Sequence, residues 1–168
     1  LGLTPWQHQA DAWRLLDAGE SVVVATETAS GKSLIYQRKV LEALEHDLTS
    51  LVVFPTKALA EDQLRALRDL AERLGLKDAE TRIVRYDGDT PRSERQAVRR
   101  DARVVITNPD MIHRSLLPFH AYWSSFHQGL RWVVIDELHA YRGVLGTHVA
   151  NVLRRLTRIA KLYGSDPQ

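Results

Sequence analysis

A short segment containing glycine, lysine and serine is the first place in this chain where residue types and spacing could do chemistry. Residues 26–33 read Thr-Glu-Thr-Ala-Ser-Gly-Lys-Ser, between an apolar run and an amphipathic stretch. Backbone N–H groups at a helix start, a lysine and a hydroxyl are the groups that bind nucleotide phosphates and Mg²⁺. Thr26 and Ala29 stand where this phosphate-loop pattern usually has glycine, so the match is imperfect. The predicted nucleotide contacts are Thr28, Ala29, Ser30, Gly31, Lys32 and Ser33.

Two adjacent carboxylates, Asp136 and Glu137, follow an apolar run that ends at Ile135. Carboxylates at the tip of a buried strand are costly unless a cation or a reaction uses them. Neighbouring side chains on an extended chain point to opposite sides, so the two acids should have different tasks. We expect Asp136 to hold Mg²⁺ together with Ser33, and Glu137 to polarise the water that attacks the γ-phosphate. A helix cap and a chance Gly-Lys-Ser are the ordinary alternatives, and the presence of both patterns in one chain argues against them.

Both patterns lie where predicted strands end. Five short runs, each apolar through its centre, are typical of parallel strands buried on both faces. Residues 59–74 and 145–159 have instead the 3.6-residue spacing of helices. This alternation predicts an α/β fold, a parallel β-sheet sandwiched between helices, with ligands at the carboxyl ends of the strands. The predicted strands are residues 21–25, 51–54, 82–86, 103–107 and 131–136.

The acidic segment and a glutamine near the start of the chain resemble superfamily 2 helicases, whose first lobe is a RecA-like phosphate-loop domain. Asp-Glu-Leu-His at 136–139 is similar to the DExH form of their Walker B motif. His-Gln-Ala-Asp-Ala at 8–12 is similar to their glutamine motif, whose side-chain amide reads adenine. The resemblance implies that Gln9 binds the base of ATP, with Gln7 as the rival candidate. It also implies that His139 couples the nucleotide state to the rest of the motor.

Three loops after predicted strands resemble the segments with which these helicases grip the nucleic-acid backbone. Their hydroxyls, amides, single lysine and helix-start N–H groups suit phosphates rather than base edges. Each loop also has an ordinary alternative, since Thr, Asp and Asn commonly cap helices. The residues that the resemblance assigns to nucleic-acid binding are Pro55, Thr56, Lys57, Gly88, Asp89, Thr107 and Asn108.

A more specific resemblance runs along nearly the whole chain. Residues 28–34, 107–113 and 136–151 are similar to the bacterial mitomycin-repair helicases and their fungal RecQ-four-like relatives. The resemblance implies ATP-driven 3′-to-5′ translocation on single-stranded DNA, a role in DNA repair, and a cytoplasmic, nucleoid-associated bacterial protein. The chemistry of the residues themselves does not separate DNA from RNA.

The same resemblance implies that residues 1–168 are the helicase ATP-binding domain of a longer protein. The Ser-Ala-Thr motif of the family would follow Gln168, and a second RecA-like lobe is the expected partner. In such helicases that second lobe supplies the arginines that neutralise charge in the transition state. Residues 1–168 alone are therefore expected to bind nucleotide weakly and to hydrolyse it very slowly.

Composition narrows the classes of protein. The 168 residues, 44% hydrophobic and 26% charged, suit one ordinary globular domain. No apolar run approaches the ~20 residues that cross a bilayer, and the absence of cysteine excludes disulfides and thiolate metal sites. The net charge is only +2, but basic residues form two clusters, which are either solvated helix faces or surfaces for a partner. The clusters are Arg92, Arg95, Arg99, Arg100 and Arg103, and Arg154, Arg155, Arg158 and Lys161.

Several other functions share part of the pattern. A translocase without strand separation shares every motif, and a non-catalytic nucleotide-binding module would keep the phosphate loop without using Glu137. A small-molecule kinase would use the same loop but would not explain residues 55–63. His113, His120 and His127 have the spacing of a possible metal site, but Pro118 interrupts any single helix through them.

Overall fold

The computed structural model describes residues 4–27 and 30–168, so the predicted contacts Thr28 and Ala29 lie outside the described residues. Each helix in these ranges is too short or too polar to cross a bilayer. The α-helices are α1 Gln7–Asp17, α2 Ser33–Glu45, α3 Lys57–Arg73, α4 Ala79–Arg82, α5 Arg95–Asp101, α6 Pro109–Met111, α7 Ser124–Gln128 and α8 Gly143–Leu162. The strands are β1 Thr49–Val53, β2 Ile83–Arg85, β3 Val104–Thr107 and β4 Leu130–Ile135. A π-helix at Ile112–Leu116 and two 3-10 helices at His120–Trp123 and Leu138–Ala140 add to these.

The four strands form one parallel sheet in the order β2-β3-β1-β4. Strand β1 lies inside the sheet, with Leu51 aligned with Val105 of β3 and with Val133 of β4. Every residue of β1 and of β3 is buried, as expected for apolar strands that are covered on both faces. The predicted α/β fold, a parallel sheet between helices, is confirmed.

Helices cover both faces of the sheet because successive residues of a strand point to opposite sides. Val52 and Phe54 belong to one core with residues of α2 and α3. Leu51 and Val53 belong to a second core, on the other face, with Trp123, the π-helix and α8. The spacing of apolar residues in 145–159 therefore correctly predicted a helix, but of its apolar positions Leu145 is half exposed and Ile159 is only partly buried. The buried residues of α8 are Val149, Val152, Leu156 and Ala160.

The predicted strand at residues 21–25 is wrong, since the described residues 21–27 contain no strand. Val22 and Val24 line a cavity of about 250 Å³ that separates this segment from the edge of β4. On that edge, the carbonyl of Gln168 accepts a hydrogen bond from the N–H of Val133 at 2.8 Å. The N–H of Gln168 donates to the carbonyl of Arg131 at 3.1 Å. A strand must exchange backbone hydrogen bonds with a neighbour, and here Gln168 occupies the position beside β4.

Candidate active site and nucleic-acid loops

The ammonium group of Lys32 is folded back into the phosphate loop, just before α2 begins. Its Nζ donates to the carbonyls of Thr26 at 2.8 Å and Glu27 at 2.6 Å. Gly31 adopts a φ of +72°, a left-handed conformation that residues with a side chain rarely adopt. The positive charge is therefore held by neutral carbonyls next to a helix N-terminus, where the backbone dipole also favours an anion.

Gln9 is buried and tied to the phosphate loop by its side-chain amide. Its Nε2 donates to the carbonyl of Gly31 at 3.0 Å, and its Oε1 accepts the N–H of Trp6 at 2.9 Å. The rival candidate Gln7 is exposed and donates to Asp11 Oδ2 at 3.1 Å instead. The structure thus brings Gln9, and not Gln7, to the loop that carries Lys32.

The two carboxylates follow β4 through a sharp turn. The N–H of Asp136 donates to the carbonyl of Val53 at 3.0 Å, which keeps this residue in line with the sheet. Glu137 has a φ of +50°, a left-handed conformation that costs a non-glycine residue about 1–2 kcal/mol. One cavity at this edge is lined by both Lys32 and Asp136. Lys32 and Asp136, far apart in the sequence, therefore line one cavity.

Two tyrosines next to Asp136 were not predicted from the sequence. Burial, and then the nearby Asp136 carboxylate, raises the pKa of the Tyr36 hydroxyl above its usual range. The same two causes raise the pKa of Tyr141 to about 12. Both phenols are therefore neutral at neutral pH and add no negative charge beside the acid. Tyr36 lies one helical turn after Ser33, a spacing that could have indicated its position near the loop.

Ser33 and Asp136 are the candidate oxygen ligands for a cation. The Tyr36 hydroxyl donates to Gln63 Oε1 at 2.5 Å, and the Ser33 hydroxyl and the Asp136 carboxylate both lie near enough to Tyr36 to influence its pKa. A hydroxyl and a carboxylate from two different elements thus approach one point. Mg²⁺ prefers such hard oxygen donors together with phosphate oxygens, so the donor set fits this ion.

His139, the predicted coupling residue, lies against the catalytic candidate Glu137. Its Nδ1 is 3.2 Å from Glu137 Oε2, and both side chains are substantially exposed. The contact becomes an ion pair only when the imidazole is protonated. The imidazole therefore contacts the Glu137 carboxylate and can move when that carboxylate moves.

Lys57 and Asp89 connect the loops that follow β1 and β2. The Lys57 Nζ donates to Asp89 Oδ2 at 2.5 Å, and both side chains are more than half exposed. The Lys57 ammonium, through this hydrogen bond and its charge, lowers the pKa of the Asp89 carboxyl. The N–H of Asp89 donates to the buried Asp87 at 2.9 Å, which holds the second loop in place. Two of the three predicted nucleic-acid loops therefore meet at the carboxyl edge of the sheet.

The side chains of Thr56, Asn108 and Thr107 form hydrogen bonds with backbone groups of the protein. Thr56 Oγ1 accepts the N–H of Leu59 at 3.4 Å, and Asn108 Oδ1 accepts the N–H of Met111 at 3.0 Å. Both side chains thus cap helices. Thr107 is buried and donates its hydroxyl to the carbonyl of Tyr86 at 2.7 Å, so its side chain supports the loop from beneath. At least partly exposed on these loops are Pro55, Thr56, Lys57, Gly88, Asp89 and Asn108.

The three evenly spaced histidines do not converge on one point. His113 Nδ1 lies 2.7 Å from an Arg155 guanidinium nitrogen, and His120 Nδ1 lies 2.8 Å from the Tyr163 hydroxyl. His127 is fully buried, and burial, with a smaller contribution from His120, lowers its pKa to about 4. Within residues 4–27 and 30–168, no group of three or more possible ligands is arranged to hold a metal.

Comparison with known proteins gives close relatives. Residues 6–165 match the DEAD/DEAH box helicase family. The chain is 49% identical over 164 residues to the uncharacterized ATP-dependent helicase YprA of Bacillus subtilis, covering 96% of the chain and 22% of that protein. It is 49% identical over 161 residues to the ATP-dependent helicase HRQ1 of Saccharomyces cerevisiae, covering 94% of the chain and 15% of that protein. The chain therefore spans less than a quarter of the length of these relatives.

Solved structures show the same fold. A crystal structure of the DUF1998 helicase MrfA bound to DNA and AMPPNP has a TM-score of 0.91 and 48% identity, over 96% of this chain and 23% of that one. The Mycobacterium smegmatis helicase Lhr, bound to ssDNA and AMP-PNP, has a TM-score of 0.71 and 31% identity, over 93% of this chain and 21% of that one. Both structures hold DNA and a nucleotide analogue in proteins that contain this fold.

Proposed function

The chain belongs to the DEAD/DEAH box helicase family, and from this premise we propose that it is the ATP-binding first lobe of an ATP-dependent DNA helicase. The observation that carries the proposal is the cavity lined by both Lys32 and Asp136. A lysine beside a helix N-terminus and a carboxylate at a strand tip are the groups that bind and hydrolyse a nucleoside triphosphate. Membership of this family leaves no reason to retain the small-molecule kinase.

The residues of the site divide the chemistry among them. Lys32 leaves its two carbonyl partners and binds the β- and γ-phosphates, while Gln9 reads the base and keeps contact with the loop. Glu137 orients the attacking water and takes up its proton. Ser33 and Asp136 would hold Mg²⁺, which would supply charge neutralisation at the phosphates.

The nucleic acid is single-stranded DNA that crosses the loops at 55–57, 88–90 and 107–109. Lys57 exchanges Asp89 for a backbone phosphate, which gives affinity without sequence preference. Thr56 caps the N-terminus of α3 and Asn108 caps that of α6, and both helix N-termini face the single-stranded DNA. The DNA-bound structures of MrfA and Lhr support this assignment by analogy.

In the longer protein, a second RecA-like lobe closes on this edge and supplies the arginines that the transition state needs. The greater length of the relatives supports this partner. The resemblance to mitomycin-repair helicases supports 3′-to-5′ movement and a role in DNA repair. His139 relays the state of Glu137 towards the second lobe.

The central test is Glu137→Gln in the full-length protein. Loss of the base should lower the kcat of DNA-stimulated ATP hydrolysis by about 10²–10⁴ while nucleotide binding is retained. Glu72→Gln, an exposed substitution on α3, is the matched control and should leave kcat unchanged. Unchanged hydrolysis in the Glu137 variant would mean that the domain is a nucleotide-binding scaffold.

A second measurement separates a helicase from a translocase. The full-length protein should displace a strand from a partly duplex DNA in the presence of ATP and Mg²⁺. ATP hydrolysis stimulated by single-stranded DNA, without strand displacement, would identify a translocase that does not unwind. Stronger stimulation by single-stranded RNA would contradict the assignment to DNA.

A further inference from the structure

Helix α8, Gly143–Leu162, carries one sign of charge only. Its 20 residues include three arginines and one lysine and not a single Asp or Glu. The net charge of the whole chain is +2, so the rest of the chain is net negative. Positive charge is thus concentrated along this helix. The exposed face of α8 together with the adjoining π-helix is called the α8 wall. The cations of this helix are Arg154, Arg155, Arg158 and Lys161.

The arginines of α8 lack acidic partners, whereas seven arginines elsewhere in the described residues have them. Arg82 and Arg103 both pair with Asp47 at the opposite end of the sheet. In the described residues no ion pair involves Arg154, Arg155 or Arg158, in contrast to those two. Their charge is therefore available to an external anion.

Neutral groups hold two of these arginines in place. The Arg154 guanidinium donates to Asn151 Oδ1 at 2.9 Å. The Arg155 guanidinium lies 2.7 Å from His113 Nδ1 on the π-helix, and the His113 and His148 rings meet edge to face at 5.1 Å. An arginine that is oriented by a neutral partner keeps its full charge and loses little freedom when it binds a phosphate.

This surface continues from the proposed DNA loops. Asn108 caps α6, which leads directly into the π-helix that carries His113 and Arg114. Helix α8 begins shortly after the Asp136–Glu137 turn. Both elements therefore start at the carboxyl edge of the sheet and run down the same face of the domain.

The middle of the exposed face of α8 is polar and basic, which suits phosphates, while Val144, Leu145 and Leu162 are exposed only towards the ends of the helix. The apolar residues in the middle of α8 face the core, and Asn151 and Thr157 are exposed beside the arginines. Proteins that bind single strands commonly stack bases on exposed aromatic rings. The exposed middle of α8 offers no Phe, Tyr or Trp, which favours a backbone whose bases are already paired.

We propose that the α8 wall, meaning the exposed face of α8 with the adjoining π-helix, binds the backbone of a duplex arm next to the single strand held by the loops. Arg154 and Arg158 contact its phosphates, and His113 positions Arg155 to do the same. This inference rests on the proposed helicase function, since it needs a single strand on the loops.

The test uses the full-length protein and a charge reversal, Arg154→Glu with Arg158→Glu. Two probes share one single strand, and one of them carries a duplex arm at the junction. The reversal should lower affinity for the probe with the arm by roughly tenfold or more, and reduce its log–log salt slope by about 2. Affinity for the bare single strand should stay within about twofold, and single-strand stimulation of ATPase should persist.

Arg73→Glu with Lys77→Glu makes the same charge change at two exposed positions, the last residue of α3 and the turn that follows it, and should alter neither affinity. Equal losses on both probes, or no loss on either, would overturn the proposal, and the latter would point to an acidic protein as partner. If the unmodified protein fails to bind the bare strand at all, the proposed function fails instead, which is a distinguishable result.

Discussion

Two lysines at the carboxyl edge of the sheet are held in opposite ways. Lys32 is bonded to the neutral carbonyls of Thr26 and Glu27, whereas Lys57 is paired with the carboxylate of Asp89. A phosphate that binds Lys32 meets an uncompensated charge, but one that binds Lys57 must displace a carboxylate. Under the proposed function, a phosphate therefore binds Lys32 without competition from a carboxylate, whereas at Lys57 it competes with Asp89.

The largest expected effect is that of Lys32→Ala. Removal of the phosphate-binding charge should lower ATPase activity of the full-length protein by at least about 10²-fold, comparable with loss of one preorganised group on a developing charge. Lys57→Ala is the matched lysine control, and its basal ATPase activity should be unchanged. Similar losses in both variants would break the contrast between the two lysines.

A smaller effect is expected from Gly31→Ala. The left-handed φ of +72° is strained for alanine, and its Cβ would lie 2.8 Å from Gln9 Nε2. The affinity for ATP, measured by titration, should fall by about tenfold, the equivalent of 1.4 kcal/mol.

Gly75→Ala is the control for backbone strain alone. Gly75 has the same φ of +72°, but its added Cβ would meet nothing within 4 Å. Both variants should lose about 1 kcal/mol of stability in chemical denaturation, and only the Gly31 variant should lose nucleotide affinity. A loss of ATP binding in the Gly75 variant would show that strain, and not contact with Gln9, explains the effect.

A modest change is expected for the nucleic-acid side. Lys57→Ala should weaken single-stranded DNA binding by about threefold at moderate salt and reduce the log–log salt slope by about 0.7, the value for one phosphate contact. The measurement is binding by fluorescence anisotropy over a range of salt concentrations. An unchanged slope would show that Lys57 makes no phosphate contact.

The smallest effect, of opposite sign, belongs to Asp89→Asn. This change removes the carboxylate that competes with phosphate for Lys57, so affinity for single-stranded DNA should rise by about twofold. The same anisotropy titration measures it, with Asp110→Asn as an exposed acidic control. A fall in affinity would mean that Asp89 orders its loop more than it competes for the lysine.

Much of the candidate site was predicted from local sequence. Lys32, Ser33, Asp136 and Glu137 were identified by residue type and spacing, because phosphate and Mg²⁺ need those groups at strand ends and helix starts. The choice of Gln9 over Gln7 came from the resemblance and agrees with its contact to Gly31. The functional assignments of individual residues remain predictions for the experiments above.

The two tyrosines beside Asp136 and the pairing of Lys57 with Asp89 depend on contacts between elements that are distant in the chain. Residue type alone did not reveal that the Thr107 side chain is buried and donates to the carbonyl of Tyr86 instead of facing solvent.

By itself the sequence determined the alternation of strands and helices, the burial of β1 and β3, and the chemical groups at the carboxyl edge. These follow from apolar periodicity and from the few residue types that bind phosphate. Only the tertiary structure decided that residues 21–25 do not form a strand, since strand formation requires a hydrogen-bonding neighbour. The edge of β4 bonds to Gln168 instead, and this long-range pairing cannot be read from an apolar run.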